Sequence, residues 1–377
     1  MKNILITGGS GFIGSNLSIA LIKKGYTVTV LDNLSEQIHG SDPETTSPLY
    51  ISIKDKVNFI KGSVTNREIF ARAIKNQDVI VHLAAETGTG QSMYQISHYT
   101  QINIGGTSIM LDLLANTKHA VKKVLIASSR AIYGEGRYLS KKAGFIYPET
   151  RSAEDMAAGD FEVKYPGTGK LTLVATDEDS KAHPSSIYGI TKLTQEQMVM
   201  TFCPMINVAP VALRYQNVYG PGQSLSNPYT GLLSIFSTLL KNGKELNIFE
   251  DGKESRDFVF ISDVIKATVA GIEMDEANNQ VFNVGSGIAT DVLTVANLLI
   301  KYYHSSTKPN ISGNFRKGDI RHNYADLTKI RAILHYEPTV MFEEGIKRFS
   351  DWVNNQEINE SGYEQSLTEM KEKGIFK

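Results

Sequence analysis

Cysteine is almost missing: Cys203 stands alone among 377 residues, which excludes an internal disulfide and any metal site built from several thiolates. An excess of one charge is missing too. With 39 basic and 40 acidic residues and a formal net charge of −1, no polyanion-coating surface and no nucleic-acid partner are expected. No run of about 18 apolar residues occurs, and there is no repeat or low-complexity tract. The opening Met1-Lys2-Asn3-Ile4-Leu5 already reads as a strand, so a soluble, reduced, cytoplasmic protein without a membrane partner is expected. The histidines do not gather either. His82 follows an apolar run, while His98, His119 and His183 are isolated, and no metal centre is expected.

What is present begins at once. Asn3–Thr7 has the length and branching of a buried strand. Gly8, Gly11 and Gly14 follow, and Ser15–Lys24 carries Leu17, Leu21 and Ile22 at helical spacing. Glycines there permit a tight turn, close approach of backbone to a pyrophosphate, and close helix–strand packing. The helix start offers unpaired N–H groups and a positive dipole end to phosphates. Gly25 ends the helix, Thr27–Leu31 reads as a second strand, and Asp32 closes it. An acid about 20 residues after the glycines suits the ribose hydroxyls of NAD and repels the extra phosphate of NADP.

Strand and helix signals then alternate. Val57–Lys61, Asp78–Leu83 and Val124–Ser128 read as strands, Arg67–Lys75 and Asn103–Asn116 as helices. Such alternation predicts an α/β, Rossmann-type, doubly wound parallel sheet. Two stretches break the rhythm. Leu34–Lys56 is polar with two prolines and reads as a long loop; Gly136–Pro184 is a longer insertion with a short strand signal at Leu171–Ala175. The division expected is a cofactor domain over 1–210 that includes the insertion 136–184, and a smaller α/β substrate lobe over 211–354 with some chain returning to the core. A polar extension, 355–377, follows, with a thin apolar stripe of Leu367, Met370 and Ile375 expected to pack on the body or on a partner subunit.

Within Tyr188-Gly189-Ile190-Thr191-Lys192 the phenol and the amine are four residues apart at the head of a helical run, hence on one helix face. An ammonium beside a phenol favours phenolate, and a phenolate is a base toward an alcohol or sugar hydroxyl.

Thr7–Gly14, Asp32, His82–Ala85, Asn103–Thr107, Ser128–Gly134 and Tyr188–Lys192 together resemble the extended short-chain dehydrogenase/reductase superfamily. Within it they are similar to the NAD-dependent sugar-nucleotide epimerases and dehydratases, over residues 1–355. The resemblance implies Ser129, Tyr188 and Lys192 as catalytic residues: serine bonding the reacting hydroxyl, tyrosine the base, lysine also holding the nicotinamide ribose. It implies NAD contacts from Gly8, Gly11, Phe12, Ile13, Gly14, Asp32, Asn33, Ser63, Val64, Leu83, Ala84, Ala85 and Asn103. Substrate contacts are implied at Thr87, Ser92, Ser129 and Asn217, and at Arg256 and Arg316, whose guanidinium forks suit a diphosphate. A homodimer is also implied. The family often has Asp where Ser63 stands, so the adenine amine would meet a neutral partner.

Ser35–Gly40, Glu86–Met93, Ser129–Gly136 and Tyr219–Ser224 resemble, more narrowly, the family's dTDP-L-rhamnose 4-epimerases. These are taken to interconvert dTDP-L-rhamnose and dTDP-6-deoxy-L-talose, sugars used in surface polysaccharide, through a transient 4-keto sugar. UDP-hexose or UDP-N-acetylhexosamine 4-epimerase is the alternative, with the loop Gln223–Leu232 as the base-reading segment. A dehydratase or decarboxylase is disfavoured, because Arg130-Ala131 follows Ser129 where dehydratases carry Asp-Glu; Glu86 and Glu135 are the remaining acids near that segment. A non-catalytic NAD(P) sensor is disfavoured by the retained Ser129, Tyr188 and Lys192.

Overall fold

The computed structural model describes residues 1–225, 227, 229, 231–357 and 362–377. Positions 226, 228 and 230 of the loop expected to read the base, and 358–361 of the C-terminal extension, lie outside the described residues. In β1 (Asn3–Thr7), Ile4 and Ile6 enter one core and Leu5 the opposite one. In β2 (Thr27–Asp32), Val28 and Val30 face Ile4's side and Leu31 faces Leu5's. This two-residue alternation of apolar side chains marks strands buried on both faces.

With β3 (Asn58–Lys61), β4 (Val79–His82), β5 (Lys123–Ser129), β6 (Ala209–Tyr215) and β7 (Gln280–Val284), these strands form a seven-stranded sheet in the order β7-β6-β5-β4-β1-β2-β3. Every pairing in it is parallel. Helix α1 (Phe12–Lys23) and helix Ile261–Glu273 cover one face. Arg67–Ile74, Gly106–Asn116 and α2 (Ile187–Phe202) cover the other. The fold is therefore α/β and doubly wound. The strand order reverses between β1 and β4, which opens a crevice at their carboxyl ends.

β6 runs across residue 210 and β7 returns to the sheet edge from well beyond it, so a boundary at 210 passes through a strand. The smaller lobe carries a mixed sheet of Asn217–Tyr219, Ser255–Phe260 and Ala289–Asp291, with His322–Asn323 alongside. Helices Leu232–Lys241, Val292–Tyr302 and Phe342–Asn354 pack against it.

The expected loop Leu34–Lys56 is instead three short helices, Glu36–His39, Pro43–Thr46 and Pro48–Ile53. Its prolines sit at first helical positions, where a fixed φ and a missing N–H favour starting a helix rather than breaking one. Asn103 likewise lies inside a π-helical turn, Thr100–Gly105, that leads into Gly106–Asn116. The insertion forms an antiparallel sheet of Tyr138–Ser140, Gly144–Ile146 and Thr172–Leu173, so only part of the Leu171–Ala175 strand signal is realised. A buried ion network fastens it to the smaller lobe. Arg151 donates to both Glu250 carboxylate oxygens at 2.8 Å and to Glu135 at 3.2 Å, and fully buried Arg321 donates to Glu250 and Asp251 at 2.9 and 2.7 Å. Among the described residues, no helix is long and apolar enough to cross a membrane.

Candidate active site

The crevice at the carboxyl ends of β1 and β4 deepens into a cleft of about 600 Å³ that continues into the smaller lobe. Its floor is main chain. Gly8 has φ +68°, and a Cβ there would lie 2.8 Å from the Ala84 nitrogen. At Gly14 a Cβ would lie 2.4 Å from the Gly8 carbonyl; only glycine lets α1 start this close to β1. Gly11 is the N-cap of α1 with no side-chain cap, so the first-turn N–H groups are left for another acceptor. Asp32 accepts from the Ser10 and Leu34 amides at 2.9 and 2.8 Å. Burial raises its carboxyl above the usual range, against the pull of those amides and of His39. Uncapped amides, a glycine cradle and a fixed carboxylate are what a dinucleotide's pyrophosphate and ribose require, so these residues fit NAD.

Phe12, Ile13, Asn33, Ser63, Val64, Leu83, Ala84, Ala85 and Thr87 line the same cleft, as do Ser129, Tyr188, Lys192, Asn217, Arg256 and Arg316. Two expected residues do not. Ser92 is fully buried, and its hydroxyl accepts from the Tyr188 amide at 3.1 Å, so it fixes the start of α2 rather than facing a sugar. Asn103 lies beneath the cleft: its Oδ1 accepts from the Glu86 amide at 2.8 Å and its Nδ2 donates to Thr191 at 2.9 Å. Ser63 turns its hydroxyl to Thr65, 2.8 Å away.

The trio Ser129, Tyr188 and Lys192 differs from expectation in its charges. Burial pushes the Lys192 ammonium down to about 7, opposed by Glu196, and Lys192 Nζ donates to Gln195 at 2.9 Å. Tyr188 is not acidified on balance. Burial raises that phenol, and the downward pulls come from the Ser129 hydrogen bond and the Arg130 guanidinium. A lysine half-discharged by its own burial is a weak electrostatic partner. Nearby His82 is held neutral, pushed down to about 3 by burial and by Lys192, between Thr7 at 2.7 Å and Thr107 at 3.1 Å.

Opposite the floor stands a wall of arginines. Arg130 donates through Nε to Asn217 at 2.8 Å; neither it nor Arg256 has a carboxylate within ion-pair distance among the described residues. Arg256 donates to the Ser255, Arg321 and Ile320 carbonyls at 2.9, 3.0 and 2.7 Å. Arg316 Nε lies 3.0 Å from Asp319. Burial and Arg256 push the Arg130 guanidinium down to about 9, against the pulls of Asp319, Tyr188 and Glu135, the mark of a buried cation short of counter-ions. A diphosphate would supply them. Glu135 points away, held by Arg151 and the Arg321 amide, while Glu86 lines the cleft 3.4 Å from His98. The carboxylates Glu250, Asp251 and Glu254 lie close enough for a cation, but Arg321 already sits among all three.

Sequence reasoning passed over several residues that line the cleft, among them Gln216, Asp319 and Tyr363. Asp319 had a signal, ending the segment that bears Arg316. Gln216 and Tyr363 had none.

The model of the NAD dependent epimerase/dehydratase family matches residues 4–154 and 163–285. The chain is 36% identical over 355 residues to a dTDP-L-rhamnose 4-epimerase of Burkholderia thailandensis, covering 93% of this chain and 95% of that one. In structure it is similar to a UDP-glucose 4-epimerase of Thermotoga maritima with UDP-glucose, at 30% identity and a TM-score of 0.76 over 93% of this chain and 98% of that one. It is also similar to a Bacillus cereus UDP-glucuronic acid 4-epimerase in complex with UDP-glucuronic acid and NAD, at 26% identity and a TM-score of 0.73 over 93% and 99%.

Proposed function

The chain belongs to the NAD dependent epimerase/dehydratase family as an isomerase with NAD as its cofactor, and we propose that it is a nucleotide-sugar 4-epimerase interconverting dTDP-L-rhamnose and dTDP-6-deoxy-L-talose. One observation carries the reading: Ser129, Tyr188 and Lys192 open onto the same cleft as the glycine loop at one end and Arg130, Arg256 and Arg316 at the other. Gly8, Gly11, Gly14 and Asp32 would hold the cofactor's pyrophosphate and ribose, with Lys192 at the nicotinamide end. Held there, NAD would supply the hydride acceptor and donor for C4 of the sugar.

The protein's own groups manage the proton and the tether. Tyr188 removes the proton of the 4-hydroxyl while Ser129 hydrogen-bonds that oxygen, and the proton returns by the same route. Arg130 lowers the cost of the phenolate by its charge. Arg256, Arg316 and Asn217 grip the diphosphate, leaving the planar 4-keto sugar free to turn over and present its other face. The absence of an Asp-Glu pair after Ser129 argues against water elimination, since Arg130 and Ala131 cannot supply its acid and base.

The 36% identity to a dTDP-L-rhamnose 4-epimerase favours the 6-deoxy-hexose. The likeness to a structure holding UDP-glucose favours the rival class, UDP-hexoses or UDP-N-acetylhexosamines. Incubation with each nucleotide sugar, followed by NMR of the product at C4, decides between them. Inversion of dTDP-L-rhamnose alone supports the proposal, and inversion of UDP-sugars alone refutes the substrate. A homodimer in the cytoplasm is the assembly we expect, and light scattering reads its mass.

A further inference from the structure

We propose that the C-terminal helix is a wall of the nucleotide-sugar site and that the Tyr363 hydroxyl donates a hydrogen bond to the substrate's diphosphate, an assignment that rests on the function proposed above. Helix α3 (Tyr363–Glu372) turns Tyr363, Ser366 and Met370 into the cleft beside Arg256 and Arg316. Their spacing of three and four residues places them on one helix face.

Tyr363 is the polar end of that face. Its hydroxyl finds no hydrogen-bond partner among the described residues; that of Tyr138 has none either, but Tyr138 lies outside the cleft that Tyr363 lines. What points to a ligand is its place: a free phenol on the cleft wall beside the Arg316 guanidinium is set to donate to the same anionic group that the arginine would hold. Burial raises this phenol above its ordinary value even though Arg316 stands close enough to pull it down. It is therefore a neutral donor at neutral pH, and beside a guanidinium it needs an acceptor. A phosphate oxygen held by Arg316 is an acceptor for both.

The wall is built, and it is joined to the arginine it stands beside. Phe315 and Lys377 exchange two backbone hydrogen bonds at 3.0 and 3.1 Å, and the Lys317 amide donates to the Ile375 carbonyl at 2.9 Å. The Phe376 ring lies 5.0 Å from that of Phe249, over which the Arg316 guanidinium sits at 5.4 Å. The chain end and the segment bearing Arg316 are thus one unit. On the other side Glu369 accepts from Tyr229 at 2.8 Å and from Tyr94 at 3.3 Å, with the two phenols 2.7 Å apart. Tyr94 belongs to the half with the seven-stranded sheet and Tyr229 to the loop after Gly222, so α3 bridges both sides of the cleft mouth.

The test is calorimetric titration of dTDP and of UDP into the NAD-loaded full chain, compared with Tyr363→Phe and Tyr363→Ala. Removing one donor to a charged acceptor should weaken the preferred nucleotide on the order of tenfold in Tyr363→Phe, and further in Tyr363→Ala. Bound NAD should be unchanged, and the loss should appear in KM rather than kcat. Equal nucleotide affinity in wild type and Tyr363→Phe overturns the role given to Tyr363 and leaves the epimerase reading standing. A wild-type protein that binds neither dTDP nor UDP overturns both.

Discussion

The two sides of the cleft are made in opposite ways. The cofactor side is chiefly main chain and small residues, built around the Gly8–Gly14 turn, and burial there pushes His82 down to about 3 and Lys192 down to about 7. The substrate side is long charged side chains from distant segments, Arg130, Arg256 and Arg316, carried on a frame of buried ion pairs. The first surface is shaped before any ligand arrives. The second holds guanidiniums that Asp319 balances only in part and that an anionic ligand would complete. A cofactor that stays and a sugar nucleotide that must enter, turn and leave call for that division.

Substitutions on the two sides should therefore fail differently. The largest effect belongs to Tyr188→Phe, which removes the proton acceptor. A loss of roughly 10²- to 10⁴-fold in kcat is expected with bound NAD retained, as read by steady-state rates and by absorbance of the released dinucleotide. Next comes the frame. Arg321→Ala removes a buried guanidinium from Glu250 and Asp251, whose carboxylates it bonds at 2.9 and 2.7 Å; Arg151 still holds Glu250, so the cost should fall below the roughly 3–5 kcal/mol of a buried pair broken outright. Urea unfolding measures it, and a change below about 1 kcal/mol would mean the network carries little of the smaller lobe's stability.

Arg256→Ala is milder. Loss of a charge-assisted contact to diphosphate, about 1.5–3 kcal/mol, should raise KM for the sugar nucleotide by roughly ten- to a hundredfold and leave bound NAD unchanged. Equal damage to both ligands would erase the contrast between the two sides. The smallest effect is a pH shift. Arg130 pulls the Tyr188 phenol down, so removing its charge raises that pKa. In Arg130→Gln the rising limb of kcat/KM should move to higher pH. A limb that stays in place would return the acidifying role to Lys192.

The contrast also explains what was legible in the sequence. The sheet and the glycine turn could be read because their causes are local: a run of branched residues makes a buried strand, and Gly14 must be glycine because Gly8 is six residues away. The short helices between Glu36 and Ile53 were hidden because proline carries two meanings, stop and start, and only context separates them. The charges at Tyr188 and Lys192 were misread for a different reason. Spacing of four residues puts a phenol and an amine on one face, but burial, which discharges Lys192, depends on everything packed around α2. Ser92 was expected against the sugar and instead caps Tyr188's amide, a contact between residues 96 apart in sequence. Arg130 and Tyr363 gain their meaning only when strands and helices from both halves meet over the cleft.

Turnover of dTDP-L-rhamnose in D₂O, with the product examined by NMR at C4, tests the chemistry most directly. The account predicts an inverted C4 that carries no solvent deuterium, because the hydrogen leaves and returns as hydride while only the hydroxyl proton passes through Tyr188. Deuterium appearing at C4 of the product would mean that the carbon itself is deprotonated, and would contradict it.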